Sequence, residues 1–477
     1  MAGAGDPLHL TLVELCEALR ARTLSPVELM DATLARIATT HGQLNAVVAL
    51  REREALFAEA RASEERLGRG QGRPLEGIPL GVKDLEDAAG LLATHGSLLF
   101  RDRVAVADSI QVERLKGAGA IVVGKTNAPE FGHTAITKNL VYGVTRSPWD
   151  PERTPGGSSG GSSAALAGEV LPLVTASDGG GSIRIPASFT GAFGLKPSYG
   201  RVPVGPRALW SHGTTVVYGP ITKTVSDAAL FLDQVAGHDP RDPSSLPHPG
   251  LSYARVVEEA LPPGTRFAFS IDLGRAVVQS DVAAAVTDAA KEFERQGHIV
   301  TDLRMGPESA PPDLAAYWGL LSSWEAAADL GPLVETQSSR FARSFLEGLR
   351  FAMGLTNGWW GELGRARAAM AGWCAHVFEK HDLLITPTVP YDPPPAKGPF
   401  PAETEGRRQP TAGVASFTIP FNMSWNPAAT VRAGLSRAGL PIGMQIVGPM
   451  HREDLVLRAA RAFERERPWH PHWPMRG

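Results

Sequence analysis

Three residues in this chain combine side-chain type and local backbone in a way that suits acyl transfer. Ser158 lies in TPGGSSGGSSAALAG (154–168) and Ser182 in SDGGGSIRIPAS (177–188), two stretches dense in glycine and hydroxyls. Lys83 follows the apolar run Ile78-Pro79-Leu80-Gly81-Val82. A serine hydroxyl is a weak nucleophile until a base takes its proton. No histidine neighbours these stretches in the sequence. A lysine can serve instead if it is neutral, and burial favours the neutral amine by removing the solvation of the ammonium. Gly179-Gly180-Gly181-Ser182 adds a row of backbone N–H groups that glycine lets point one way, a nest able to receive an oxyanion beside the attacking hydroxyl.

Each feature also has an ordinary reading. Lys83 could be a structural ion-pair lysine, the first nest a flexible linker, and the two nests a pair of tight turns. Against the linker, only enough chain for a helix and a strand separates the nests, which suggests two loops meeting at one place. Two other patterns compete. Gly119-AIVV-Gly124-Lys125-Thr126 spells a phosphate loop, but Ala-Ile-Val-Val reads as a strand and Pro129 interrupts the helix that should follow. Gly157-Ser158-Ser159-Gly160-Gly161 spells the nucleophile elbow of an α/β-hydrolase-type esterase, with Ser159 attacking and Asp382 and His451 available as partners. That elbow needs a strand just before the serine, and the proline-rich 147–155 does not supply one.

The elements that must position these residues alternate between helix and strand. Residues up to about 70 are helical in pattern, with Ser25-Pro26 and Glu28 marking a helix start. Strands are expected at 78–82, 120–123, 170–175, 266–271, 383–386 and 442–447. Helices are expected at 109–118, 163–168, 225–236, 280–296 and 452–466. Residues 312–380 read as mostly helical and carry Trp318, Trp324, Trp359, Trp360 and Trp373. The alternation predicts an α/β fold with a central mixed β-sheet flanked by helices. No repeat or break divides the chain, so 1–477 reads as one large domain. Within it, 1–70 is an N-terminal helical region and 310–380 a helical insertion shaping a substrate cleft. The proline-rich 391–413 is a long loop of the kind that is functional or mobile. Loops near 131–133 and 199–218 are further candidates for the cleft.

The bulk composition excludes several classes. Of 477 residues 43% are hydrophobic and 20% charged, and the formal net charge is −3, so nothing predicts capture of nucleic acid or of an anionic membrane. Two cysteines, Cys16 and Cys374, do not make a disulfide framework and fit a reducing compartment. The N-terminus lacks the pattern of a signal peptide and no run approaches a membrane span, so the cytoplasm is the expected location. Nothing suggests a metal site. The sequence carries no signal for oligomeric state; a homodimer is the working expectation.

The stretch from Gly156 to Ser188 resembles the signature of the amidase signature family. The resemblance continues in GIPLGVKD (77–84), GKTNAPEFG (124–132), TRSPWDPERTPGGSSGG (145–161), GAFGLKPSYGRVP (191–203), GPITKTVSDAALFLDQVAG (219–237), PFNMSWNPAATV (420–431) and GLPIGMQIVGP (439–449). It implies a Ser–cis-Ser–Lys triad. Ser182 matches the acylated nucleophile, Ser158 the serine that follows a cis peptide bond with Gly157, and Lys83 the base acting through Ser158. The amides of Gly179, Gly180, Gly181 and Ser182 match the oxyanion hole, and Asp178 and Arg184 the supports of the nucleophile loop. Ser159 fits a hydrogen-bonding support better than a nucleophile. Gly179, Ser177 and Ser147 depart from the usual β-branched residue, threonine and asparagine, and none of them removes a catalytic group.

The implied reaction is hydrolysis of a small-molecule amide without metal or organic cofactor. Hydrophobic or aryl amides are favoured, carbamates (a urethanase activity) share the chemistry, and esters are an expected side activity. The alternative within the family is an ammonia-generating subunit of a tRNA-dependent amidotransferase. That branch carries an A-S-S-L-D-Q-I-G-P-like run where this chain has HGTTVVYGPITKT (212–224).

Overall fold

The computed structural model describes residues 5–206, 214–306, 309–356, 358–469 and 473–474. Its centre is an eleven-stranded mixed sheet. In chain order the strands are β1 (Val47–Leu50), β2 (Pro79–Lys83), β3 (Ile121–Thr126), β4 (Leu173–Asp178), β5 (Phe193–Lys196), β6 (Val217–Thr222), β7 (Arg266–Phe269), β8 (Ile299–Asp302), β9 (Leu383–Pro387), β10 (Ala428–Leu435) and β11 (Pro441–Val447). Their order across the sheet is β1-β3-β2-β4-β6-β5-β10-β11-β9-β7-β8. The segments β3-β2-β4 and β9-β7-β8 run parallel, and antiparallel pairs join them. Leu80, Val82, Leu173, Val174, Leu195, Ile221, Leu384 and Ile446 are buried along it, the burial on both faces that parallel strands between helices require.

Local chemistry explains the element ends. Ser25 accepts from the N–H of Val27 and Glu28 while the Glu28 side chain reaches back to Ser25 N, a capping box that starts the helix Pro26–Leu44. The helix expected at 163–168 begins earlier, at Gly160, and runs to Ala167. The strand expected at 170–175 is shifted to Leu173–Asp178. Val170 and Leu171 still donate to Ala165 O, closing the helix, and Pro172 has no N–H for a ladder. The region to residue 70, expected to be helical, also holds β1. The αL residue Asn45 ends the preceding helix, and the β-branched pair Val47-Val48 opens this edge strand. Gly124, Lys125 and Thr126 lie inside β3, so the phosphate-loop spelling marks a strand. A Cβ on Gly124 would lie 2.2 Å from Ala49 O, so glycine is required there by the close approach of β1.

Outside the sheet, the helices Ala315–Gln337, Arg343–Met353 and Gly358–Lys380 form most of the region 310–380. Part of it makes its own cluster, in which Ala326, Leu330, Phe341, Phe345 and Leu349 pack against Phe131. The 391–413 segment includes a short hairpin, Glu403–Thr404 against Arg407–Arg408. Cys16 and Cys374 are buried free thiols. Among the described residues, no helix is long and apolar enough to cross a membrane. The consequence for function is that β2 and β4 are parallel neighbours, so Lys83 and Asp178 stand at the carboxyl ends of adjacent strands, where open α/β sheets bind ligands.

Candidate active site

Lys83 ends β2 with 1% of its surface exposed. Its backbone N–H donates to Thr175 Oγ1 on β4 at 3.0 Å, which fixes the strand end. Its Nζ lies 2.9 Å from Ser158 Oγ, 2.8 Å from Ser159 Oγ and 2.9 Å from Ser177 Oγ. These are neutral partners. Burial pulls the amine down to about 7, against the opposing pull of the Asp178 and Glu86 carboxylates. Ser158 is 3% exposed and follows a cis peptide bond with Gly157. Ser159 is wholly buried, stands at the start of the helix Gly160–Ala167, and donates through its hydroxyl to Ser177 O at 3.3 Å. No strand leads into it, so the elbow setting that would make Ser159 a nucleophile is not formed.

Ser182 sits at the exit of the glycine run that follows β4. Its carbonyl accepts from Ser159 N–H at 3.3 Å, which ties the two nests together. Its hydroxyl makes no hydrogen bond to another described residue, so the Lys83–Ser158 contact is closed while a Ser158–Ser182 contact is not. The loop is held by Asp178. One of its oxygens accepts from Gly181 N–H at 2.7 Å, and the other from Ile183 N–H at 3.1 Å. Arg184 grips the same carboxylate through Nε and Nη2, both at 3.0 Å, and also reaches Gln445 and Asn422. Burial alone would push Asp178 up; the Arg184 charge and hydrogen bonds hold it well below the usual carboxylate range. Gly181 has φ +138°, a conformation that L side chains rarely adopt. Its amide, expected in the oxyanion-binding row, is committed to Asp178. The amides of Gly179, Gly180 and Ser182 donate to no described protein group.

Ser182 opens onto a cavity of about 210 Å³. Ile185, Trp318, Phe400, Val414 and Ile419 give it an apolar wall, and among the described residues lining it none is an aspartate, glutamate, lysine or arginine. His133, from the loop expected to contribute, lines it too, and burial pushes its imidazole toward the neutral form. The sequence shows no histidine beside the serines; the fold brings this one to the cavity from a separate loop.

Other expectations change. Of the loop 199–218, residues 207–213 lie outside the described residues. Tyr199 stacks on Trp425 with ring centroids 4.9 Å apart and does not line the cavity. Of the five tryptophans in 312–380, Trp318 is the one that lines the cavity. Trp324 and Trp359 pack against Trp360, and Trp373 donates to Ser309 O. Sequence reasoning misses Thr418 and Asn422, which touch the nucleophile loop from more than two hundred residues away in the chain. The block PFNMSWNPAATV, which holds Asn422, is visible in the sequence only as a motif without assigned roles.

The sequence signature of the Amidase family matches residues 28–457. The chain is 35% identical to an acylamidase of Rhodococcus erythropolis over 97% of its own length and 96% of that protein's. It is 34% identical to a glutamyl-tRNA(Gln) amidotransferase subunit of Chloroflexus aggregans over 98% of each. The structure of a bacterial aryl acylamidase of the amidase signature family superposes with a TM-score of 0.90 at 27% identity, covering 98% of both chains. That of 6-aminohexanoate cyclic dimer hydrolase gives 0.86 at 30% identity, covering 98% of this chain and 99% of the other. Likeness on this scale, in sequence and in fold together, makes the chain a member of the amidase signature family of amide-hydrolysing enzymes.

Proposed function

We propose that this protein hydrolyses hydrophobic or aryl carboxylic amides through an acyl-enzyme on Ser182. The observation that carries the reading is the buried 2.9 Å contact between Lys83 Nζ and Ser158 Oγ, next to a cavity onto which Ser182 opens. In this reading neutral Lys83 accepts a proton from Ser158, which takes one from Ser182. The Ser182 oxygen bonds to the amide carbon, and the carbonyl electrons move to an oxygen received by the amides of Gly179, Gly180 and Ser182. Collapse breaks the C–N bond, and the proton returns through Ser158 to the leaving nitrogen. Water then attacks the ester by the same relay and releases the acid. The Ser158–Ser182 contact is open in this structure; catalytic hydrogen bonds of this kind often tighten only in the substrate complex.

The substrate class rests on the cavity. Its described lining offers no charged partner for an ionised substrate, and desolvating an unpaired charge is costly. A neutral amide with an apolar or aryl group fits it. The helical region 310–380 shapes this cleft through Ala315, Trp318 and Gly319, and the 391–413 loop through Phe400, Thr411 and Ala412. A carbamate presents the same carbonyl–nitrogen bond and an ester an easier one, so both belong to the proposed range. The likeness to an amidotransferase component keeps ammonia release from glutamine as the second reading. Glutamine is a zwitterion, and the uncharged lining counts against it.

The deciding experiment assays aryl amides, aliphatic amides, carbamates and glutamine with the wild type and with Ser182→Ala. Hydrolysis of aryl amides that disappears in Ser182→Ala is expected. Activity confined to glutamine would favour the second reading. A fully active Ser182→Ala alongside an inactive Ser159→Ala would replace the nucleophile.

A further inference from the structure

Three consecutive carbonyls of the nucleophile loop are held by side chains from distant segments. Asn422 Nδ2 donates to Asp178 O at 3.0 Å, Trp318 Nε1 to Gly179 O at 2.6 Å, and Thr418 Oγ1 to Gly180 O at 2.6 Å. Across a trans peptide plane, a carbonyl and the following N–H point in opposite directions. Fixing the Gly179 carbonyl therefore also fixes the Gly180 N–H, on the opposite side of the plane. Trp318 and Gly180 both line the cavity that holds Ser182.

The glycine run needs such restraint from outside. Without Cβ atoms its peptide planes turn freely, and a donor that rotates away from the developing oxyanion contributes nothing to its stabilisation. Trp318 supplies this restraint in two ways: its N–H holds Gly179 O, and its ring packs so closely that a Cβ on Gly180 would lie 2.4 Å from Cζ2. Thr418 and Asn422 are buried, and Asn422 also bonds the Asp178 carboxylate and Arg184. Trp318 differs from both: it is half-buried, comes from the helix Ala315–Gln337, and also forms part of the cavity wall.

We propose that Trp318 is a positioning residue for the oxyanion-binding peptide: its indole N–H, held on Gly179 O, aims the Gly180 N–H at the carbonyl oxygen of the bound amide. This rests on the reading of Ser182 as the nucleophile. It implies that the wall of the substrate cavity and the rate of the chemical step are linked through one side chain. A substrate group that displaces the indole would then lower turnover as well as affinity.

The test replaces Trp318 with β-(3-benzothienyl)alanine, which keeps the ring shape and lacks the N–H, with Trp318→Phe as a genetically encoded partner. Activity is followed on an aryl amide that the wild type hydrolyses. The expected result is a fall in kcat of about tenfold or more with KM changed by less than about threefold, because only the transition state needs the aimed donor. Affinity for an aryl boronic acid, which forms a tetrahedral adduct on a nucleophilic serine, should fall by the same factor as kcat/KM. An unchanged kcat, or a raised KM with kcat preserved, would overturn the proposal and leave Trp318 as cavity wall only. If Trp318→Phe fails to fold, the isosteric variant still decides, with its unfolding midpoint measured alongside. Ser182→Ala separates the two layers. Full activity there removes the underlying reading, whereas its inactivity beside an unimpaired benzothienyl variant removes this inference alone.

Discussion

Lys83 Nζ lies 2.9 Å from Ser158 Oγ, and both side chains are almost wholly shielded from solvent. The three hydroxyls around the amine are neutral, so burial dominates and pulls Lys83 down to about 7 despite the carboxylates of Asp178 and Glu86. The neutral amine is the base in the proposed mechanism. kcat/KM for an uncharged amide should therefore rise about tenfold per pH unit on the acid side and level off above about 7. A profile measured from acid to alkaline pH, with chemistry limiting, checks this; a flat acid limb contradicts it. Lys83→Ala should lose about 10²–10⁴ in kcat, the usual scale of a general base.

Ser158 and Ser159 both touch the same amine, yet the proposed roles differ. Gly132 lines the cavity, and a Cβ on it would lie 3.3 Å from Ser158 Oγ, which places that hydroxyl next to the cavity. Ser159 points instead at Lys83 and Ser177. Ser158→Ala should remove the relay and lower kcat by about 10²–10⁴. Ser159→Ala removes the hydrogen bonds to Lys83 and Ser177, each worth about 1 kcal/mol, but no member of the relay, and should lower kcat by about tenfold or less. Steady-state assays of the two variants on one aryl amide make the comparison. Equal and complete loss in both would show that they act as a unit on Lys83.

Lys83, Ser158 and Ser182 are legible as candidates because each stands beside a backbone feature: a strand end or a glycine nest. The α/β alternation was legible for the strongly apolar strands, since β2 and β9 read as continuous buried runs. The short strand Phe193–Lys196 was not, because four residues with two small or polar members show no period, and its pairing with β6 and β10 decides its state. The role of Gly181 was also out of reach. The sequence places Gly181 in the oxyanion-binding row, whereas the local turn brings the carboxylate of Asp178, three residues upstream, to 2.7 Å from its amide. Trp318, Thr418 and Asn422 reach the loop through long-range packing, for which local pattern carries no signal.

Arg184 and Asp178 form the buried support under that loop, and their pairing makes a prediction about stability and rate together. Neither side chain is exposed, and the guanidinium contacts both carboxylate oxygens at 3.0 Å. The same carboxylate holds the amides of Gly181 and Ile183, on either side of Ser182. Removing one member strands the other charge, a loss of about 3–5 kcal/mol for buried pairs. Arg184→Lys keeps the charge but cannot fork across both oxygens, so it should recover only part of that stability. The sign with pH follows from the depressed carboxyl: its contribution is present above the ordinary value of 3.8 and is lost progressively as pH falls below it. Urea unfolding of wild type, Arg184→Lys and Arg184→Gln at neutral pH should rank them in that order, with kcat falling in the same order because Ser182 loses its support. Wild type should converge toward Arg184→Gln as pH drops below 3.8. An Arg184→Gln variant as stable as the wild type, with kcat intact, would show that the pair supports neither the fold nor the loop.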